Sequence, residues 1–215
     1  MIVEEIMSRN LITLLPTDKI KQAVVLMNKY HVRHIPVVDK EYTLLGIISD
    51  RDIKDAAPSI FAQDREFEEF EKPVHEIMTK NVIVAYPLDF VEEISFTFYE
   101  NKISCLPIIH KGKLVGIVTK TDILNTLVQL TGAHQPGSQI EVKVPNVAGK
   151  LSEVTKLLSD HHLNILSVLV YPYKQDDTYR TIVFRIETLN PTKAIYALVE
   201  HGYEVLRPHI TDVIR

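Results

Sequence analysis

The chain has 215 residues, of which 46% are apolar and 24% charged, and carries a formal charge of −4; these values describe a globular protein of one or two domains able to bury a substantial core. The mildly acidic balance offers no basic field for nucleic acid, no stretch reaches the roughly 18 apolar residues that span a bilayer, and one cysteine cannot form an internal disulfide. The start, Met1-Ile2-Val3-Glu4-Glu5, lacks a basic region followed by an apolar run, so a reducing cytoplasm is the expected location.

In chain order, Met1 to Arg9 leads into an expected strand at Leu11 to Leu15, and Pro16-Thr17-Asp18 reads as a turn with an N-cap. Ile20, Ala23, Val24, Met27 and Tyr30 then recur at three- and four-residue spacing, which predicts an amphipathic helix with that stripe in the core. Ile35 to Val38 and Leu44 to Ser49 bracket the polar turn Asp39-Lys40-Glu41 and predict a hairpin, with Gly46 serving its exit. A second helix should open near Asp50 and run towards Pro58. Residues 59–73 are acidic, and Phe61, Phe67 and Phe70 suggest a helix laid on the body.

From Val74 the pattern starts again. Glu5-Ile6-Met7, Asn10, Pro16 and Asp18 return as Glu76-Ile77-Met78, Asn81, Pro87 and Asp89 at a constant offset, which slips by one residue only at the hairpin turn. The expected elements are a strand at Val82 to Ala85, a helix at Asp89 to Asn101, strands at Leu106 to Ile109 and Leu114 to Thr119, and a helix from Asp122 towards Leu130.

Each copy contains a Gly-apolar-apolar strand that ends at a hydroxyl residue and reaches an aspartate three places on: Ser49 and Asp52, then Thr119 and Asp122. Taken singly, Ser/Thr-x-x-Asp is a helix capping box. As a ligand site, a strand turning into a helix aims N–H groups and a positive dipole end at an anion, while an ionised carboxylate accepts from two ribose hydroxyls. Arg51 and Lys120 are either phosphate partners or solvated helix-start charges. Arg33 and His34 precede the first hairpin, where the second copy has Ser104 and Cys105, so the two sites should differ. His34 either meets a ligand or fills the surface between copies, and Cys105 reads as a buried, inert thiol.

Two tandem copies of apolar-Pro-Val-apolar followed by Gly-apolar-apolar-Ser/Thr-x-x-Asp resemble a CBS domain pair, or Bateman module. The resemblance implies βαββα repeats about a pseudo-twofold axis, at 1–58 and 74–131, joined by an acidic linker at 59–73. It also implies adenosine nucleotide in two clefts, with Ile35, Pro36, Leu106 and Pro107 beside Ser49, Arg51, Asp52, Thr119, Lys120, Asp122, Arg33 and His34.

Beyond a breaker-rich linker at 132–138, residues 139–215 follow the order β-α-β-β-α-β of a ferredoxin-like fold: strand residues Ile140, Val142 and Val144, a helix carrying Leu151, Val154, Leu157 and Leu158, strands at Ile165 to Tyr171 and Tyr179 to Glu187, a helix started by Pro191 with Ala194, Leu198 and Val199 inward, and a last strand at Tyr203 to Leu206. Val144 to Leu151 and Leu163-Asn164-Ile165 resemble an ACT domain. That implies either a carboxylate-holding loop for an amino acid, formed by Asn146, Val147, Ala148 and Gly149 with Asn164 and Ile165 nearby, or a dimerisation domain without ligand.

The whole arrangement, an α+β protein with a CBS pair followed by an ACT-like domain, resembles the acetoin-utilization protein AcuB family. The resemblance implies a homodimeric regulator in acetoin catabolism that senses AMP or ATP and signals to a further protein. No enzymatic signature, metal site or cofactor is expected: the sequence contains no Gly-x-Ser-x-Gly, Walker loop or His-Glu-x-x-His, and His161 and His162 fall on different helix faces.

Overall fold

The computed structural model describes residues 1–56 and 69–208, and the chain divides into two compact units at Leu124/Asn125. In the first unit each repeat is built on an antiparallel hairpin. β1 (His34–Val38) pairs with β2 (Leu44–Ser49), and β3 (Cys105–His110) with β4 (Lys113–Thr119). The register sets His34 opposite Ser49 and Cys105 opposite Thr119, so each strand that ends in a hydroxyl residue faces the first residue of its partner.

The apolar stripes fold as helices. They are α2 (Ile20–Tyr30), after a single turn α1 (Val3–Ile6), and α4 (Val91–Glu100); α3 (Asp50–Ala56) and α5 (Lys120–Leu130) follow the two hairpins. In α2 Ile20, Ala23 and Met27 are buried and Val24 is partly so, whereas Tyr30 is 48% exposed. It is the last residue of the helix. Asp18 is not the helix cap: its Oδ2 accepts from Leu15 N at 2.8 Å and closes a turn, while Lys19 N donates to Gln22 Oε1 at 2.7 Å where α2 begins.

Neither expected lead-in strand forms as a strand. Leu14 and Ala85 each make one parallel bridge, to Val37 and Ile108. The remaining pairing is made by segments exchanged between the repeats. Val3 and Met7 lie in the second repeat's core with Ile94, Phe98, Leu106 and Val118, and Val74, Ile77 and Met78 pack in the first with Ile20, Ile35 and Ile48. Ser8 and Ile117 exchange hydrogen bonds of 2.9 and 3.1 Å, and Thr79 and Ile47 exchange bonds of 2.9 and 3.0 Å. Each hairpin therefore takes a partner on its second strand from the other repeat, opposite the edge bridged by Leu14 or Ala85 of its own.

This exchange corrects the role expected of Gly46. A Cβ at Gly46 would stand 2.6 Å from Met78 Sδ and 2.8 Å from the Thr79 carbonyl oxygen, and one at Gly116 would collide with the Met7 side chain. Both glycines admit the exchanged methionine rather than shaping a turn. The expected helix at 59–73 falls mostly outside the described residues, as do Phe61, Phe67 and the end of the helix at Ala57 and Pro58. Phe70 is partly buried against the first core, and Glu71 forms ion pairs with Lys19 and Lys21.

The second unit is a four-stranded antiparallel sheet in the order β6-β7-β5-β8, from β5 (Ser138–Pro145), β6 (Ile165–Pro172), β7 (Tyr179–Ile186) and β8 (Glu204–Arg207). Ile140 and Val142, opposite Phe184 and Ile182, meet Val154 and Leu158 of α6 (Lys150–Asp160) and Ala194, Ile195 and Leu198 of α7 (Thr192–Glu200). That is the βαββαβ order read from the sequence. Val199, expected inward, is instead 39% exposed near the end of its helix, and Pro191 precedes the first residue of α7.

Replacing Gly46 by Ala should lower stability by about 1–3 kcal/mol, the usual cost of overpacking a closed core. Gly116→Ala should cost less, because the atoms it meets belong to one flexible methionine while Gly46 also faces a fixed carbonyl. Urea midpoints of the two variants check both the loss and its order.

Candidate functional site

Two crevices open in the first unit, and each draws on both repeats. The first, of about 670 Å³, is lined by Thr119 to Asp122 and Ile117 from the second repeat, by His31 to His34 and Pro36 from the first, and by Ser8 and Asn10 to Ile12 of the exchanged segment. The second, of about 650 Å³, is lined by Ile47, Ser49 to Asp52, Lys54 and Asp55 on one side and by Thr79 and Lys102 to Cys105 on the other. Arg33 and His34 line this one as well. Both volumes lie in the range of small-molecule sites.

The carboxylates on these walls are held by local bonds. Asp52 Oδ2 accepts from Ser49 N and Ser49 Oγ, both at 2.7 Å, and Asp52 N donates to Ser49 Oγ at 3.2 Å. Asp122 Oδ2 accepts from Thr119 N at 2.7 Å and from Thr119 Oγ1 at 2.6 Å. The capping reading of Ser/Thr-x-x-Asp is thus met in both copies, and it uses Oδ2 of each carboxylate. Asp52 Oδ1 accepts no hydrogen bond from the described residues. At Asp52 capping and ligand binding are therefore compatible: the cap fixes the rotamer and leaves the second oxygen at the crevice wall.

The first N–H of each following helix is already used. Asp50 N donates to the Arg33 carbonyl at 3.0 Å, and Lys120 N to the Ser104 carbonyl at 3.3 Å. These bonds extend each hairpin by one step and anchor the backbones of Arg33 and Ser104 at the crevice mouths. An anion would then meet the side chains of Lys120, Arg33 or Arg51 rather than that leading N–H.

His34 is half-buried, and burial holds its imidazole below the ordinary value of 6.5; Asp50 and Asp52 pull the other way, and the Arg33 charge adds to the lowering. The Cys105 thiol is pushed up to about 12 by burial and by the charge of Asp122, which keeps it protonated and inert.

Among the residues expected at the ligand, Arg33, His34, Pro36, Ser49, Arg51, Asp52, Thr119, Lys120 and Asp122 are brought to the two crevices. Ile35 and Leu106 are instead wholly buried core side chains, and Pro107 is buried and lines neither crevice. Sequence reasoning missed Ser8, Thr79, His31 and Lys102. Their signal was the repeat itself, since Ser8 and Thr79 hold one register position and His31 and Lys102 another.

The ACT-like loop departs from expectation. Asn146 N donates to the Thr178 carbonyl at 2.8 Å and Val147 N to the Pro145 carbonyl at 2.9 Å. Asn146 Oδ1 accepts from Arg180 Nε at 3.1 Å, and Asn164 Nδ2 donates to Glu187 Oε2 at 2.7 Å. Two of the four amides expected to hold a carboxylate are thus engaged, which leaves those of Ala148 and Gly149. Ile165 is partly buried against the core of this unit. Among the described residues no cluster of three or more His, Cys, Asp or Glu is placed to hold a metal, and no helix is long and apolar enough to cross a membrane.

Paired hairpins with exchanged lead-ins, and two pseudo-symmetric crevices each floored by a capped Ser/Thr-x-x-Asp, define a tandem CBS module. Comparison with known proteins agrees: the CBS domain family matches residues 3–59 and 74–129, and the ACT domain family matches residues 138–200. The chain belongs to the CBS domain family, with an ACT domain after the pair.

The first unit resembles the structure of an acetoin utilization protein (AcuB) from Vibrio cholerae, at 34% identity and a TM-score of 0.54, over 63% of this chain and 98% of that one. It also resembles the CBS domain pair of protein MJ0100 in complex with 5′-methylthioadenosine and S-adenosyl-L-methionine, at 31% identity and a TM-score of 0.52, over 63% and 98% of the two chains. A third similar structure is CBSX2 from Arabidopsis thaliana in complex with AMP, at 26% identity and a TM-score of 0.52, over 60% and 96%. The chain spans a quarter or less of the length of the first curated relatives it matches, 25% of one and 22% of another.

His34 gives a pH prediction. Because its folded-state value is depressed, the folded chain binds fewer protons than the unfolded chain between that value and 6.5. Its contribution to stability is complete above about 6.5 and is lost as the pH falls from there through the window. Comparing urea midpoints of wild type and His34→Gln from pH 7.5 to 5, the advantage of wild type should shrink towards low pH; a constant difference would mean that His34 does not titrate differently on folding.

Proposed function

We propose that the chain is a regulatory sensor that takes an adenosine nucleotide or adenosyl compound in its two CBS clefts and passes the occupancy to the ACT domain. The carrying observation is the pair of capped carboxylates: Asp52 and Asp122 stand in crevices that both reach Arg33, with Arg51 beside Asp52 and Lys120 beside Asp122. A fixed carboxylate accepts from adjacent ribose hydroxyls, and guanidinium and ammonium groups suit phosphate oxygens. Leu11, Ile12, Val32 and Ile117 offer an apolar wall for a purine in the first crevice. AMP in CBSX2, and the two adenosyl compounds in protein MJ0100, support the same ligand class.

The sensor carries out no chemistry on its ligand and acts as a cytoplasmic homodimer. A ligand shifts its conformational equilibrium only by differential affinity for the two states. A role in acetoin or related carbon metabolism is supported by the Vibrio cholerae AcuB likeness. The ACT domain works as the dimerising receiver of the signal, a reading favoured by the engaged amides of Asn146 and Val147 over an amino-acid site. One alternative has support in the geometry: Ser49 and Thr119 satisfy Oδ2 of each aspartate, as they would in a dimeric scaffold with empty clefts.

Calorimetric titration with AMP, ATP, S-adenosylmethionine and 5′-methylthioadenosine separates the two. Asp52→Asn and Asp122→Asn keep an oxygen for the cap but remove the charge. Each should weaken binding at its own cleft by about tenfold or more, the worth of one charge-assisted hydrogen bond. No heat with any of the four compounds would favour the scaffold, and steady phosphate release from ATP would overturn the non-enzymatic reading.

A further inference from the structure

The two crevices have three residues in common, Arg33, His34 and Ser104. These lie where the repeats meet, and at the offset of the repeat Arg33 corresponds to Ser104. A symmetric pair would set a cation on each side of the axis, but this chain has one guanidinium and one hydroxyl. We propose that the clefts compete for the single guanidinium of Arg33, so that an anionic ligand in either cleft weakens anion binding in the other. The proposal rests on the clefts being adenosine sites and adds a rule for how they fill.

The geometry supports the sharing. Arg33 is exposed, its backbone is tied down by Asp50 N on its carbonyl at 3.0 Å, and from that fixed root its side chain lines both crevices. It makes no salt bridge with any described residue, so no carboxylate holds it to one side. The remaining cations belong to one cleft each: Lys120 to the first, and Arg51, Lys54 and Lys102 to the second, where Lys54 is 3.4 Å from Asp50. His34 cannot stand in as a second shared cation near neutral pH, because burial disfavours its charged form.

A guanidinium binds phosphate through paired, directional N–H bonds. It cannot supply them to phosphates in two crevices at once, so whichever anion arrives second loses that partner. The coupling is reciprocal by linkage. It is specific to charge: an uncharged adenosyl ligand would fill either cleft without disturbing the other.

The test is calorimetric titration of the full chain with AMP, using Asp52→Asn and Asp122→Asn to weaken one cleft at a time so that the other fills first and is measured alone. In wild type the cleft that fills second should bind AMP about tenfold more weakly than the same cleft does alone, a typical coupling. Ser104→Arg, which restores the missing cation, should close that gap to within roughly twofold, and uncharged 5′-methylthioadenosine should show no gap in wild type. Should Ser104→Arg fail to fold, Arg33→Ser serves: both clefts weaken and the gap disappears.

Two wild-type steps equal to those of the isolated clefts would overturn the coupling and leave the sensor reading standing, as would a gap that persists in Arg33→Ser. Binding of 5′-methylthioadenosine without any binding of AMP would also overturn it, since no anion would then compete. Absence of binding by every adenosine compound would remove both the coupling and the sensor reading.

Discussion

The first unit depends on the exchange of leading segments between the two repeats. Val3 and Met7 complete one core and Val74, Ile77 and Met78 the other, and each segment adds its hydroxyl residue, Ser8 or Thr79, to the edge of the opposite hairpin. An unpaired hairpin edge and a core missing its apolar lid would both be costly, so neither repeat is complete by itself. Gly46 and Gly116 leave the room that the Met78 and Met7 side chains of the exchanged segments take up. Once the segments have crossed, the repeats must face one another, and the crevices are the space left where the mouths of the hairpins meet.

The same exchange explains why each crevice has mixed walls. A strand end and helix start from one repeat face the loop before the first strand of the other, so the ligand surface belongs to the interface rather than to a repeat. The hydrogen bonds of Ser49 and Thr119 hold Asp52 and Asp122 in one rotamer at that interface. Such pre-organisation reduces what an incoming ligand must order. On the proposed reading local capping and recognition are one device, with the carboxylate turned towards its own main chain as the oriented state of the site.

Much of this was legible in the sequence because the repeat supplies its own control. The recurrence of Ser/Thr-x-x-Asp in register placed both floors, and the apolar stripes placed the helices, with Tyr30 and Val199 misread at the ends of theirs. What stayed hidden was long-range. Nothing in the spacing of Met7 and Met78 shows that each belongs to the other copy's core, so Gly46 and Gly116 looked like hairpin residues, and Leu11 to Leu15 looked like a strand although its pairing narrows to one bridge at Leu14. Ile35 and Leu106 share a strand start with crevice-lining neighbours, and alternation turns them into the core instead. In the ACT domain the loop sequence could not show that Thr178 and Pro145 would take the amides of Asn146 and Val147.

The central claim is that Asp52 and Asp122 meet the ribose of an adenosine ligand while still capping their helices. A crystal structure of the chain grown with AMP tests it most directly. Ribose hydroxyls are expected within hydrogen-bonding distance of one or both carboxylates, at about 2.5–3.0 Å, with the Ser49 and Thr119 bonds retained and the phosphate towards Arg33, Lys120 or Arg51. AMP bound elsewhere, or clefts empty at saturating AMP with both aspartates touching only their own caps, would contradict it.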